Sequence, residues 1–263
     1  MDLGLEGRIA LVAGASAGIG FAAAELLAAE GARVVLASRD AGRIEDAAER
    51  IRESTGGEAV GVALDVTVPD AGERLTAVAR EVFGEPGILV TNAGGPAGGG
   101  FESLSEEAFE RAIRLSFLSA VNLTRAALPS MKRARWGRIV HVSSAVVFEP
   151  NHDLFLSSSV RPALAGFSKS LAREVAPLGI TTNLVCPGFI ATNRLRELAE
   201  RRGRAAGTST EAALETMAAT VPAGRLGSPG ELAAAIAFLC GEPASYITGT
   251  ALRVDGGKVA FLL

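Results

Sequence analysis

Residues 8–21 read RIALVAGASAGIGF and join an apolar run to a second apolar stretch through a glycine-rich turn. The run Ile9–Ala13 has no polar interruption, which is typical of a strand covered on both faces of a parallel sheet. Gly14, Gly18 and Gly20 allow a tight turn and a close approach of backbone to a pyrophosphate at the N-terminus of the next helix. The stretch therefore predicts a dinucleotide-binding strand–turn–helix unit, although glycines also suit other turns of this kind.

Strand and helix patterns alternate along the rest of the chain. Further apolar runs predict strands at 33–37, 59–64, 88–91, 137–142, 180–185 and 251–254. Stretches rich in Ala, Leu and Glu predict helices between them, such as 21–29, 41–54 and 231–239. Such alternation implies right-handed crossovers. We expect an α/β fold with a doubly wound, mostly parallel seven-stranded sheet of the Rossmann type, as a single domain over residues 1–263 without internal repeats.

Composition narrows the classes of function. The net charge is −3 and the isoelectric point is about 5.6, so nothing favours nucleic acid or an acidic membrane as a partner. No apolar run approaches the ~20 residues that span a bilayer, and the N-terminus lacks the pattern of a signal peptide. Cys186 and Cys240 are isolated and predict reduced thiols in a cytoplasmic protein. The spacing of His141 and His152 gives no support to a metal site.

The end of the second predicted strand indicates which nucleotide is bound. It reads Leu36-Ala-Ser38-Arg39 and has no acidic side chain to accept a hydrogen bond from a ribose 2′-hydroxyl. The guanidinium of Arg39 matches a 2′-phosphate, so NADP(H) is favoured over NAD(H). Alternatively, Arg39 is only a solvent-facing residue at a strand end. Ala17 supplies no second positive charge in the glycine turn.

Several motifs follow one another from about Leu5 to Gly257 and together resemble a known family. They are GASAGIG at 14–20, Asp65, NAG at 92–94, Ser144, PGFIAT at 187–192, YITG at 246–249 and VDGG at 254–257. This order is similar to that of the short-chain dehydrogenases/reductases, and most of all to their 3-oxoacyl-carrier-protein reductases. The resemblance implies an oxidoreductase that interconverts a small-molecule carbonyl and an alcohol, with 3-oxoacyl thioesters among the candidate substrates.

The resemblance also implies where the cofactor lies. Asp65 and Val66 should lie against the adenine, and the backbone of Ile190 and the hydroxyl of Thr192 should lie near the nicotinamide carboxamide. From the residues alone, Asp65 also fits a cap of the turn before Pro69. The complete set expected at the cofactor is Gly14, Ser16, Gly18, Ile19, Gly20, Ser38, Arg39, Asp65, Val66, Asn92, Ala93, Gly94, Arg161, Pro187, Gly188, Ile190 and Thr192.

The resemblance predicts an altered catalytic centre. The family usually carries an Asn, a Ser, a Tyr and a Lys, with three residues between Tyr and Lys. Counting from neighbouring motifs places Ser116, Ser144, Ser157 and Arg161 at these four positions. The one tyrosine, Tyr246, belongs to a segment expected to be structural, and we expect Lys169 not to reach the same place.

Three interpretations of this centre remain open. In the first, Ser144 and Ser157 contact the substrate oxygen, Arg161 binds the nicotinamide ribose and Ser116 at most supports a water. In the second, His152 or Asp153 donates the proton, although an exposed loop histidine is favoured there; His141 is expected to be structural. In the third, the protein binds nucleotide without turnover, as a sensor or scaffold.

The segment 193–221 and three apolar stretches carry the remaining expectations. The resemblance implies that 193–221 is a mobile cover over the substrate. Its five arginines could receive an acidic or phosphopantetheine-bearing substrate, but the interspersed glutamates favour a solvated helix pair. Apolar faces at 112–128 and 163–176 and the apolar terminus 259–263 predict a homo-oligomer, a tetramer or a dimer.

Overall fold

The computed structural model describes residues 1–261 and has a single seven-stranded sheet at its centre. The strands are β1 Ile9–Ala13, β2 Arg33–Ser38, β3 Ala59–Ala63, β4 Ile88–Thr91, β5 Gly137–Val142, β6 Ile180–Pro187 and β7 Ala251–Val254. Their order is β3-β2-β1-β4-β5-β6-β7, and all six neighbouring pairs are parallel. The predicted doubly wound Rossmann-like fold is confirmed, with the sheet parallel throughout.

Nine α-helices in the described residues cover the two faces of the sheet and the edge where the carboxyl ends of the strands lie. They are α1 Gly18–Ala29, α2 Ala41–Thr55, α3 Ala71–Val82, α4 Glu106–Ile113, α5 Ser119–Ala134, α6 Phe155–Val175, α7 Asn193–Ala206, α8 Thr210–Ala219 and α9 Pro229–Cys240. A single π-helical turn, Arg114–Leu118, joins α4 to α5. None of the helices in residues 1–261 combines the length and apolarity that crossing a bilayer would require.

Two apolar cores lie on opposite faces of the sheet, and alternate residues of each strand contribute to them. Val12 and Leu36 belong to the core that Ile44 of α2 and Ile236 of α9 complete. Leu11 belongs to the opposite core, together with residues of α3, α5 and α6. Burial on both faces explains why the strands are continuously apolar and do not alternate with polar residues.

One buried arginine belongs to this framework. Arg138 on β5 is 2% exposed. Its guanidinium donates to the backbone carbonyls of Gly137, Gly179 and Gly241 and forms an ion pair of 3.1 Å with Glu242. Burying a charge is costly unless it is paired and hydrogen-bonded, and Arg138 meets both conditions.

The strand order reverses between β1 and β4. The chain leaves β1 toward β2 and β3 on one side, and continues from β4 toward β5, β6 and β7 on the other. A crevice opens at such a switch point beyond the carboxyl ends of the strands, and ligands of open α/β sheets bind there. The site is therefore expected beside Gly14, which follows β1, and Asn92, which follows β4.

Candidate active site

The glycine turn after β1 is held close to the end of β4. The side-chain amide of Asn92 donates to the carbonyl of Gly14 at 3.0 Å. Gly14 and Gly18 have positive φ angles of 61°. A Cβ atom at Gly14 would lie 2.7 Å from the carbonyl oxygen of Asn92, and one at Gly20 would overlap the carbonyl of Gly14. Glycine is thus required by the packing of the turn, and the resulting cradle at the start of α1 fits a pyrophosphate.

Arg39 and Asp65 lie together at the ends of β2 and β3. Arg39 is exposed directly after β2. The Oδ1 atom of Asp65 accepts from the backbone N–H of Thr67 at 2.9 Å and from its hydroxyl at 2.8 Å. Burial raises the pKa of Asp65, but the hydrogen bonds from Thr67 and the charge of Arg39 outweigh this and lower it. Asp65 therefore caps a turn, as one interpretation predicted, and still lies where the adenine is expected.

A cavity of about 540 Å³ extends from the glycine turn across the carboxyl ends of the strands. It brings together many of the predicted residues: Gly14, Gly18, Ile19, Asn92, Ala93, Gly94, Ser144, Ser157, Arg161, Pro187, Gly188, Ile190 and Thr192. The others predicted at the cofactor, Ser16, Gly20, Ser38, Arg39, Asp65 and Val66, do not line this cavity. They belong to the glycine turn and to the ends of β2 and β3, where the rest of a dinucleotide would extend.

Two elements bring the candidate catalytic residues to the cavity. Ser144 follows β5, and its hydroxyl accepts from the backbone N–H of Val146 at 3.3 Å. Ser157 and Arg161 are one turn apart on α6, so they share one helix face. They are 7% and 9% exposed. In the described residues the hydroxyl of Ser157 makes no hydrogen bond to protein, so it is free to donate to a ligand in the cavity.

The guanidinium of Arg161 differs from that of Arg138. Its one protein hydrogen bond in residues 1–261 runs from Nη1 to the carbonyl of Val142 at 3.3 Å, and no carboxylate pairs with it. Burial lowers the pKa of Arg161 to about 10, and the charge of Arg194 contributes to the lowering. The side chain therefore remains cationic at neutral pH, with donors left for a ligand.

Ser116 lies behind Arg161, outside the main cavity. It is buried in the π-helical turn, and its hydroxyl has no partner in the described chain. Ser116 and Arg161 both line a second cavity of about 10 Å³, which is the size of one water molecule. This position is consistent with a supporting role and gives Ser116 no direct contact with a ligand in the main cavity.

Other side chains considered for proton transfer lie elsewhere. Tyr246 is fully exposed to solvent, and the Nζ atom of Lys169 donates to the carbonyl of Gly249 at 3.0 Å. His152 has an 88% exposed side chain 4.0 Å from Asp153 and does not line the cavity. Within residues 1–261, neither a tyrosine nor a lysine lines it.

His141 is part of the sheet interior. It lies on β5, and its Nδ1 atom is 2.8 Å from the hydroxyl of Thr91. Burial lowers the pKa of His141 to about 4, so its imidazole is neutral at physiological pH. A neutral, fully buried ring bonded to the neighbouring strand has the structural role that was predicted.

Helix α7 contributes cavity residues whose orientation was missed from the sequence. Arg194, Leu195, Leu198 and Arg201 line the cavity. On the outer side, Arg196 pairs with Glu211, so the predicted solvated helix pair describes only that side of α7. The spacing i, i+1, i+4, i+7 is one helical face, and this periodicity was the signal that could have identified it.

A parallel sheet with a glycine turn at its switch point defines a dinucleotide-binding protein of the Rossmann type. The sequence model of the enoyl-(acyl carrier protein) reductase family matches residues 14–258. The chain is also 40% identical over 255 residues to the 3-oxoacyl-(acyl-carrier-protein) reductase FabG of Escherichia coli, covering 97% of this chain and 98% of that protein. The chain belongs to the short-chain dehydrogenase/reductase family, as its motifs indicated.

Solved structures agree with this assignment. The structure of L-sorbose reductase from Gluconobacter frateurii, complexed with NADPH and L-sorbose, superposes with a TM-score of 0.94 at 35% identity and full coverage of both chains. A variant of actinorhodin polyketide ketoreductase with NADPH gives a TM-score of 0.93 at 33% identity, covering 97% of this chain and 98% of that one. Both neighbours are reductases of similar size and fold.

Proposed function

We propose that this protein is an NADP(H)-dependent reductase that interconverts a carbonyl and an alcohol on a small molecule. The observation that carries the proposal is that one cavity joins the glycine cradle to the hydroxyls of Ser144 and Ser157 and to the cation of Arg161. The names of the relatives support it, because all of those described above are reductases and both solved structures contain NADPH.

NADPH, when bound, supplies the hydride that reaches the substrate carbon. In the proposal, the cradle of Gly14, Gly18 and Gly20 holds the pyrophosphate and Arg39 holds the 2′-phosphate. The strand ends after β4 and β6 border the nicotinamide half. Arg161 donates to the ribose hydroxyls. The remaining cofactor positions follow the set expected from the sequence.

The serine hydroxyls orient and polarise the substrate oxygen. Ser144 and Ser157 donate hydrogen bonds to it, and the nearby charge of Arg161 stabilises the negative charge that develops there. The alkoxide left by hydride transfer then takes its proton from solvent water. The guanidinium does not shuttle a proton, because it stays protonated at neutral pH. A general acid contributes about 10²–10⁴-fold, so we expect turnover slower than that of relatives with a tyrosine by a factor in this range.

A panel of ketones, aldehydes, sugars and acyl thioesters, followed at the nicotinamide absorbance, tests the proposal. Ser144→Ala and Ser157→Ala should each lower kcat/KM at least tenfold. Ser159→Ala is the matched control, because its exposed hydroxyl bonds only to the carbonyl of Phe155. Turnover that survives both changes but falls in His152→Ala would move the proton donor to the loop. NADPH binding without turnover of any panel member would identify a nucleotide-binding module.

The proposal extends to assembly and location. We infer a homo-oligomer, a tetramer or a dimer. Ile113, Leu118 and Leu252 are large apolar side chains left exposed near the α4–α5 junction and on the edge strand β7. Of the predicted apolar terminus, residues 262 and 263 lie outside the described residues. Both cysteines are free, which supports the reducing cytoplasm. A monomer by light scattering at micromolar concentration would contradict the assembly.

Residues 193–221 form the proposed cover segment over the substrate. They contain α7 and α8, whose facing sides share a small apolar cluster that includes Leu198, Ala213 and Met217. Protection of this segment from hydrogen exchange should increase when substrate and NADPH are both present. An unchanged exchange pattern there would contradict its role as a cover.

A further inference from the structure

The charged side chains that line the main cavity all have the same sign. Arg161, Arg194 and Arg201 line it, and no aspartate or glutamate does within the described part of the chain. Under the proposed function, the phosphates of NADP(H) belong at the glycine turn and at Arg39. They therefore do not account for the arginines that α7 contributes to the cavity, Arg194 and Arg201. A partly enclosed cavity with this charge favours an anionic ligand.

The two arginines of α7 differ in how they are held. Arg194 is anchored, since its Nη2 atom donates to the carbonyl of Pro96 at 2.7 Å and its Nη1 atom to Glu197 at 3.2 Å. Arg201 makes no hydrogen bond or ion pair among residues 1–261. Of the two arginines that α7 directs to the cavity, Arg201 is therefore the one whose hydrogen-bond donors are available to a ligand.

The glycine-rich loop 94–100 makes room for both arginines. A Cβ atom at Gly95 would lie 3.1 Å from the Nε atom of Arg194. One at Gly98 would lie 2.9 Å from both terminal nitrogens of Arg201. The guanidinium groups thus pack against backbone that carries no side chains. This packing places Gly95 and Gly98 of the loop directly against the arginines of α7.

An apolar patch separates the two cations along the same helix face. Leu195 and Leu198 lie between Arg194 and Arg201, which are about 10 Å apart along the helix axis because they differ by seven residues. This face of α7 therefore presents to the cavity an apolar surface, Leu195 and Leu198, followed by the unpaired positive charge of Arg201.

We propose that the substrate of this reductase carries a carboxylate, which Arg201 binds while the substrate's apolar segment lies against Leu195 and Leu198. The inference rests on the proposed function, because the substrate must also carry a carbonyl group. Binding of the carboxylate by Arg201 can nevertheless be measured without turnover. A carboxylate is favoured over a phosphate because the one free guanidinium balances the single charge of a carboxylate, whereas a phosphate monoester carries close to two charges.

Calorimetry on the NADP⁺ complex tests the recognition without chemistry, with hexanoate, hexanamide and hexyl phosphate as probes. The parent should bind hexanoate at least tenfold more tightly than hexanamide, and Arg201→Gln should remove this preference. Arg201→Lys should retain part of it. Arg196→Gln is the matched control, because Arg196 lies on the same helix and pairs with Glu211 away from the cavity.

Several results of this titration would overturn the proposal. They are equal binding of hexanoate and hexanamide by the parent, an unchanged preference in Arg201→Gln, and tighter binding of hexyl phosphate than of hexanoate. Unchanged affinity for NADP⁺ in Arg201→Gln shows that the variant is folded. If Arg201→Gln is unfolded, the preference for hexanoate over hexanamide is compared between the parent and Arg201→Lys. An unchanged preference in Arg201→Lys would then overturn the proposal.

Turnover of 3-oxohexanoate and of its methyl ester separates this inference from the proposed function. A kcat/KM at least tenfold higher for the acid, lost in Arg201→Gln, supports both. Selective binding of hexanoate, without turnover of either compound or of any member of the carbonyl panel, supports carboxylate recognition and refutes the reductase. Equal turnover of acid and ester supports the reductase and refutes carboxylate recognition.

Discussion

Replacing Gly14 by alanine should destabilise the protein more than the same change at Gly56. Both glycines have positive φ angles, 61° and 68°. At Gly56 a Cβ atom meets nothing within 4 Å, so the change costs only backbone strain, about 1 kcal/mol. At Gly14 the Cβ atom lies 2.7 Å from the carbonyl oxygen of Asn92 and 2.8 Å from its Nδ2 atom. Overpacking of this kind adds roughly 1–3 kcal/mol.

Urea unfolding and NADPH calorimetry measure the two consequences. We expect the free energy of unfolding to fall by about 1 kcal/mol in Gly56→Ala and by about 2–4 kcal/mol in Gly14→Ala. NADPH affinity should fall at least tenfold in Gly14→Ala alone, because the added methyl displaces the turn that holds the pyrophosphate. Equal losses of stability, or unchanged NADPH affinity in Gly14→Ala, would refute the close-packing argument.

Three further predictions address specificity, pH and capping. Arg39→Ala should reduce the preference for NADPH over NADH at least tenfold by calorimetry, whereas Arg43→Ala should not; an unchanged ratio removes Arg39 from the 2′-phosphate. The folded-state pKa of His141, about 4, lies below the ordinary ~6.5. The unfolded chain therefore binds the extra proton, and stability should fall by about 3 kcal/mol as pH drops from ~6.5 to ~4. Urea titrations should show this excess loss relative to His141→Gln, and parallel curves would contradict it. Ser228→Ala removes the capping-box bond that its hydroxyl accepts from the backbone N–H of Glu231, and keeps the bond from its own backbone N–H to the Glu231 carboxylate. It should cost about 1 kcal/mol in urea with NADPH affinity unchanged, and a loss of nucleotide binding would show that α9 influences the site.

The strands could be predicted from sequence because burial on both faces imposes continuous apolar runs. β6 was predicted to end at Val185, but it continues to Pro187, since Cys186 and Pro187 pair with Arg253 and Val254 of β7. The motif PGFIAT reads locally as a loop, and only the neighbouring strand shows where pairing ends. Similarly, α1 begins at Gly18 and not at Phe21, because glycines that suggest a turn also form its first helical turn.

The site could be predicted where residues follow strands. Gly14, Asn92, Ser144 and Pro187 belong to different strand ends, and parallel pairing brings them to one edge of the sheet. The inward face of α7 depends on how that helix packs over the edge, which the mixture of arginines and glutamates in its sequence does not specify. The periodicity of the arginines on that face becomes informative only once the helix boundaries are known.

The cluster shared by α7 and α8 is separate from the two cores of the sheet. A pair of helices that packs around a separate apolar cluster can open as one cooperative unit without exposing the two cores of the sheet. The free energy of opening this pair is thus set by this small cluster, against which Leu154, Phe189 and Leu226 also pack, and by the hydrogen bond from Arg194 to Pro96. Substitutions at Leu198 or Met217 should change how often the entrance opens while leaving the global unfolding of the sheet nearly intact. Under the proposed cover role of residues 193–221, access to the site and stability of the fold are therefore under separate control.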